Sequence, residues 1–260
     1  MRTGLVATST ITHATPASFG SHVESRSMEA KIAEHLLANK VNVMFGGGKA
    51  FWTPQSTQDS LRKDDIDLLV QAGKQGYATV DDGRQLTTVE GPYVLGLFQQ
   101  KALTTVSPEP TLAELTYHAI RLLNERSKRS FESNRGFFLM VEGSQIDWAC
   151  HANDVHDCIK QTLLFDEAVK VAVDFAARDE NTLIIITADH ETGGLIIKGD
   201  DVNKTGHINW ATGGHSAMPV PVYAYGPHSK IFTGVYDNTE IPQKLARLLK
   251  IKPFPRKLEK

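Results

Sequence analysis

The sequence predicts an α/β fold built on a doubly wound, mostly parallel sheet with helices on both faces. Three observations carry that prediction. Apolar, strand-like runs alternate with amphipathic helical stretches along most of the chain. The run Thr182–Thr187 (TLIIIT) is continuously apolar, as strands covered on both faces are. Finally, Glu142 and Asp189-His190 follow directly on two of the strand-like runs, and in open α/β sheets ligands bind beyond the carboxyl ends of the strands.

The elements can be justified in order. Gly4–Thr10 (GLVATST) is a short β-branched run suited to a buried strand. His13-Ala14-Thr15-Pro16 ends it, and Pro16 suits the first turn of a helix predicted through Ser18–Arg26. Met28, Ile32, Ala33, Leu36 and Leu37 recur at helical spacing, so Met28–Asn39 is predicted as an amphipathic helix. Val41–Phe45 reads as a strand closed by Gly46–Gly48. That triple glycine precedes Lys49 but lacks the spacing and the hydroxyl of a phosphate-binding loop, so it reads as a sharp turn.

Residues 52–110 are read as a loop-rich insertion in a single domain spanning 1–260, with a helix at Ser60–Gly73 and a strand at Gly76–Val80. Thr111 with Glu114 forms a capping box for a helix through about Ser127, and Gly136–Val141 is the next strand. Cys158–Ala177 is a long amphipathic helix, and Thr182–Thr187 is a strand. A loop at Gly193–Gly214, a strand at Pro221–Tyr225 and a closing helix at Ile241–Leu249 complete the chain.

Composition narrows the function classes. The chain has 260 residues, 41% hydrophobic and 22% charged, with a formal net charge of -2, so there is no electrostatic case for a nucleic-acid or membrane partner. No apolar run is long enough to span a bilayer, and no signal peptide is visible. Cys150 and Cys158 provide no disulfide framework; Cys150, one residue off the ligand face, reads as a small buried thiol.

The stretch Phe137–His151 (FFLMVEGSQIDWACH) carries the chemistry. Asp147 and His151 stand four residues apart, which puts a carboxylate and an imidazole on one face of a helical turn. Asp189-His190 and His215 add further donors. Carboxylates and imidazoles suit zinc, while carboxylate with hydroxyl suits magnesium. Taken singly, Asp189 also reads as a helix cap, His190 as a packed histidine and His215 as a loop residue. Their joint placement at strand ends favours a metal site.

VEGSQIDWACH, TADHETGG, GGHS and THATPAS, four motifs in the family's order along the chain, together resemble the alkaline phosphatase family of zinc- and magnesium-dependent phosphomonoesterases. The resemblance covers nearly the whole chain. It implies that Asp147, His151 and His215 hold one zinc, Asp189 and His190 a second, and Glu142 and Thr15 a magnesium. It also implies that Arg26 clamps the phosphate of a phosphate monoester substrate, as a bidentate fork suits two phosphate oxygens. His13 and Trp148 stand where some relatives carry other residues near the phosphate and the magnesium, and are expected to tune the site or simply to pack. Family resemblance further implies a homodimer exported to the periplasm or cell exterior.

One family feature is not found. The D-S-A motif with the nucleophilic serine does not occur, and Asp59-Ser60, the only Asp-Ser pair, is followed by Leu61. The chain therefore resembles the C-terminal two-thirds of such an enzyme, a fold incomplete at its N-terminus, and is expected to be inactive or weakly active alone. Two other readings are a non-catalytic zinc- or phosphate-binding derivative and a metalloenzyme of a related superfamily.

Overall fold

Strand β1, Arg2–Thr10, is buried from Gly4 to Ser9 because it carries apolar packing on both of its faces. Leu5 and Ala7 enter one apolar cluster and Val6 another, the alternation that a strand imposes. The computed structural model of the protein describes residues 1–129, 136–199 and 208–255. They fall into two units, Met1–Ala172 and Val173–Lys260.

In the first unit, β2 (Val43–Gly47), β3 (Tyr77–Val80), β4 (Tyr93–Leu97) and β5 (Phe137–Glu142) join β1 in a five-stranded sheet of order β3-β4-β2-β1-β5. Every pairing is parallel. Register Ala7↔Glu142 brings the ends of β1 and β5 level. The helices are α1 (Ala14–Gly20), α2 (Glu29–Ala38), α3 (Leu68–Lys74), α4 (Leu112–Arg129), α5 (Gln145–His151) and α6 (Val155–Asp179), the last crossing the boundary between units. From α2, Ile32 and Leu36 join Leu68 of α3 in the cluster of Leu5 and Ala7. From α4, Leu115, Ala119 and Leu123 join that of Val6. A core on each face of a parallel sheet is the doubly wound arrangement expected.

Local chemistry fixes several boundaries. At the start of α4, Glu114 Oε2 accepts the Thr111 backbone N–H at 2.7 Å, and Thr111 Oγ1 accepts that of Glu114 at 3.1 Å, the reciprocal capping box. The helix predicted over Ser18–Arg26 is instead α1, which ends at Gly20. A Cβ there would lie 2.4 Å from Leu36 Cδ2, so α1 and α2 meet closely at this residue, and the chain leaves in an extended conformation at Ser21. Gly46 and Gly47 continue β2 rather than closing it; a Cβ on Gly47 would sit 1.9 Å from the Lys101 carbonyl oxygen. The turn follows at Gly48, in the left-handed region at φ 94°.

The segment read as loops and small elements supplies two strands of the main sheet, β3 and β4. Its helix begins at Leu68 rather than Ser60, after Asp67, whose carboxylate accepts the Val70 N–H at 2.9 Å. Residues 60–66 are organised instead around the buried Arg62. Its guanidinium donates to the carbonyls of Ala30 and Phe51, both at 3.1 Å, and pairs with Asp64 and Glu34.

The second unit contains β6 (Ile184–Ile186), β7 (Glu191–Thr192), β8 (Leu195–Ile197), β9 (Ile208–Trp210), β10 (His215–Ser216), β11 (Tyr223–Tyr225) and α7 (Glu240–Leu248). Among the described residues, β6 pairs antiparallel with β11, β7 with β10 and β8 with β9. The run Thr182–Thr187 is thus a three-residue strand that is half-buried and antiparallel to its neighbour, not one buried in a parallel sheet. Its aliphatic composition reports burial propensity but carries no information on strand direction. The expected loop at Gly193–Gly214 holds β8 and β9, while residues 200–207 lie outside those described. Among the described residues, no helix is long and apolar enough to cross a membrane.

Candidate functional site

β5 delivers Glu142 at its last position, and Gly143 and Ser144 turn the chain into α5. On that helix His151 Nε2 lies 3.4 Å from Asp147 Oδ1. Two ligand atoms each about 2.0–2.1 Å from a tetrahedral zinc are about 3.3–3.4 Å apart. The pair is therefore spaced like one edge of a zinc coordination tetrahedron, and its donor types fit that ion.

Behind Glu142 lies a buried hydroxyl chain. Ser144 Oγ donates to Glu142 Oε2 at 2.8 Å and accepts the Ser9 backbone N–H at 3.2 Å, with Ser9 Oγ 3.0 Å away. Because β1 and β5 end level, Ser9 reaches across to hold the Glu142 carboxylate through Ser144. A similar arrangement serves Glu29, whose Oε2 accepts from Thr10 Oγ1 at 2.5 Å and Thr12 Oγ1 at 2.7 Å. Thr15 is half-buried near the start of α1.

Arg26, expected to bind phosphate, places Nη2 2.9 Å from His13 Nε2. A guanidinium only donates, so His13 Nε2 accepts and the imidazole is neutral with its proton on Nδ1. Burial pushes the His13 pKa below its ordinary value, and the Arg26 charge adds to that; Glu142, Glu29 and Asp147 pull the other way. Edge-on against His13 stands Trp148, ring centroids 5.6 Å apart. The structure thus brings Arg26, His13 and Trp148 together.

In the second unit, β6 is followed by Asp189 and His190. Asp189 Oδ2 lies 3.1 Å from His190 Nε2, again close to the separation of two ligands on one zinc. The other ring nitrogen, Nδ1, is 3.2 Å from Thr192 Oγ1. Pairing of β7 with β10 sets His215 opposite Thr192, and the rings of His190 and His215 stack with centroids 3.6 Å apart. Glu191 ties this hairpin together: its carboxylate accepts from Ser216 Oγ, from the Gly194 N–H at 3.1 Å and from the Leu195 N–H at 3.2 Å. The Ser216 hydroxyl is the main reason its carboxyl titrates below the usual range.

The alkaline phosphatase family's sequence model matches residues 1–206 and 197–251. The chain belongs to the alkaline phosphatase family. Members are phosphoric monoester hydrolases. Alkaline phosphatase 3 of Bacillus subtilis is 34% identical over 328 aligned positions, covering 95% of this chain and 68% of the relative. Alkaline phosphatase from the Antarctic bacterium TAB5 superposes with a TM-score of 0.81 at 36% identity, covering 96% of this chain and 72% of that one. A variant of the TAB5 alkaline phosphatase, 35% identical to this chain, holds Mg in its M3 site. The cold-active alkaline phosphatase from Shewanella sp. superposes with a TM-score of 0.82 at 28% identity.

Several residues around the candidate ligands escape sequence reasoning. Ser9, Ser144, Glu191 and Ser216 are ordinary hydroxyls and a carboxylate whose importance comes from partners distant in sequence, Ser9 and Ser144 being 135 residues apart. The one available signal was position, since Ser9 and Ser144 sit at strand ends and Glu191 immediately follows His190.

Proposed function

We propose that this alkaline phosphatase family chain binds phosphate monoesters at a centre of two zinc ions and one magnesium. One zinc takes Asp147, His151 and His215, the second takes Asp189 and His190, and the magnesium takes Glu142 and Thr15. The observation that carries this reading is the spacing of two carboxylate–imidazole pairs, 3.4 Å for Asp147 with His151 and 3.1 Å for Asp189 with His190, each near the ligand separation on a tetrahedral zinc. Zinc supplies Lewis acidity toward phosphate oxygens and lowers the pKa of water.

The protein's own side chains do the rest. Arg26 offers two parallel N–H donors to the phosphate, and His13, as its acceptor, orients that fork before the substrate arrives. Ser144 keeps the Glu142 carboxylate turned and hydrogen-bonded at the end of β5. Glu191 holds β7, which follows directly on His190, in register with β10, which bears His215. No D-S-A motif occurs within the 260 residues. The route through a phosphorylated serine is therefore closed to this chain by itself, and it turns over phosphate monoesters slowly or not at all. We further propose that the functional protein is a homodimer located in the periplasm or outside the cell, as the resemblance implies.

Calorimetric zinc titration, run alongside a p-nitrophenyl phosphate assay, tests the proposal. Binding near two zinc equivalents is expected, with Asp147→Ala losing one of them by more than about 100-fold in affinity. Unaltered zinc affinity in that variant removes Asp147 from the metal site. Rapid turnover by the unmodified chain contradicts the need for the serine.

A further inference from the structure

Two thiols close to the zinc ligands play no part in the proposed chemistry. Cys150 is buried on α5, beside His151, and Cys158 is partly exposed on α6. Their Sγ atoms are 3.4 Å apart. A disulfide bond is about 2.05 Å long, so closure brings the sulfurs together by little more than an ångström, within reach of side-chain rotation.

The backbone already holds both thiols in place. Residues 152–154 make a tight connection with Asn153 in the left-handed region at φ 53°. Asp154 donates its N–H to the Ala149 carbonyl at 2.9 Å, and its own carbonyl accepts from the Cys158 N–H at 2.9 Å. Each cysteine is therefore fixed to a helix at its own end of a hydrogen-bonded turn, and no loop has to rearrange for the sulfurs to join.

We propose that Cys150 and Cys158 are an oxidation site that forms an intramolecular disulfide by exchange with a small-molecule disulfide such as oxidised glutathione. Cys158 is the exposed partner and attacks first. The Cys150 thiol beside it draws its pKa down to about 7, which favours the thiolate near neutrality. Attack breaks the glutathione S–S bond, joins Cys158 to one glutathione and releases the other as thiolate. Cys150, giving up its proton to solvent, then attacks Cys158 Sγ and expels the second glutathione. Two protein thiols are oxidised and one glutathione disulfide is reduced to two thiols. The new bond ties α5, which bears Asp147 and His151, to α6.

The test is treatment of the full reduced chain with a glutathione/glutathione disulfide buffer at neutral pH in the presence of a chelator, followed by intact mass and peptide mapping. The expected product is lighter by two hydrogens, carries a Cys150–Cys158 linked peptide and forms at a rate independent of protein concentration. Cys150→Ser is expected to leave a lasting glutathione adduct on Cys158, because the second attack is removed. A wild-type chain that keeps both thiols, keeps the adduct or cross-links between chains overturns the proposal.

Discussion

His118 shows how one side chain connects the interior to solution conditions. Its Nδ1 is buried without a hydrogen-bond partner, and burial, followed by the Arg121 charge, lowers its pKa below 6.5 against the opposing pull of Glu114. Unfolded chain then binds this proton more readily than folded chain, so stability from the group is present above about pH 6.5 and is lost as pH falls through the depressed value. His13 acts in the same direction. The urea unfolding midpoint is expected to fall between pH 7.5 and pH 5.5, and His118→Gln is expected to flatten that slope; an identical slope in the variant counts against this histidine. Neither shift was legible in the sequence, because each arises from neighbours supplied by tertiary packing.

Among elements, the connection at residues 60–66 is instructive because it replaces a predicted helix with a loop built on one cation. Arg62 satisfies the Ala30 and Phe51 carbonyls and two carboxylates at once, and its side chain is 0% exposed. Arg62→Ala leaves those groups without their donor and is expected to cost about 3 kcal/mol of unfolding free energy, read from urea denaturation. Arg62→Lys is expected to recover little of it, since one ammonium cannot meet four acceptors in the plane of a guanidinium fork.

Elements with a strong local signature were readable beforehand. The helical spacing of Ile32, Ala33, Leu36 and Leu37 locates α2, and Thr111 with Glu114 locates the start of α4. Others depend on contacts distant in sequence. β4 was not recognised at Tyr93–Leu97, since its place in the sheet is set by pairing with β2 and β3, and α1 stops at Gly20 because Leu36 packs there. The one-turn spacing that pairs Asp147 with His151 is written in the sequence; the hydroxyls behind Glu142 are not.

At the scale of the whole molecule, the proposed metal centre would link stability to metal binding. Ions that bind the folded chain and not the unfolded one add RT ln(1 + [L]/Kd), about 2.7 kcal/mol at a free concentration about 100 times Kd. Zinc is therefore expected to raise the thermal midpoint of the chain, with a chelator reversing the gain and Asp147→Ala reducing it; scanning calorimetry reads all three. Alignment with the Bacillus subtilis relative runs over 328 positions, more than the 260 residues present, so that relative carries inserted residues within the matched span.

The Arg26–His13 contact has a further meaning. Because the guanidinium occupies His13 Nε2, it dictates which nitrogen of the ring carries the proton. An anion that drew Arg26 toward itself would release that nitrogen, and the ring would then be free to exchange tautomers. On the proposed reading of Arg26 as the phosphate clamp, the tautomer of His13 would then report whether an anion is bound.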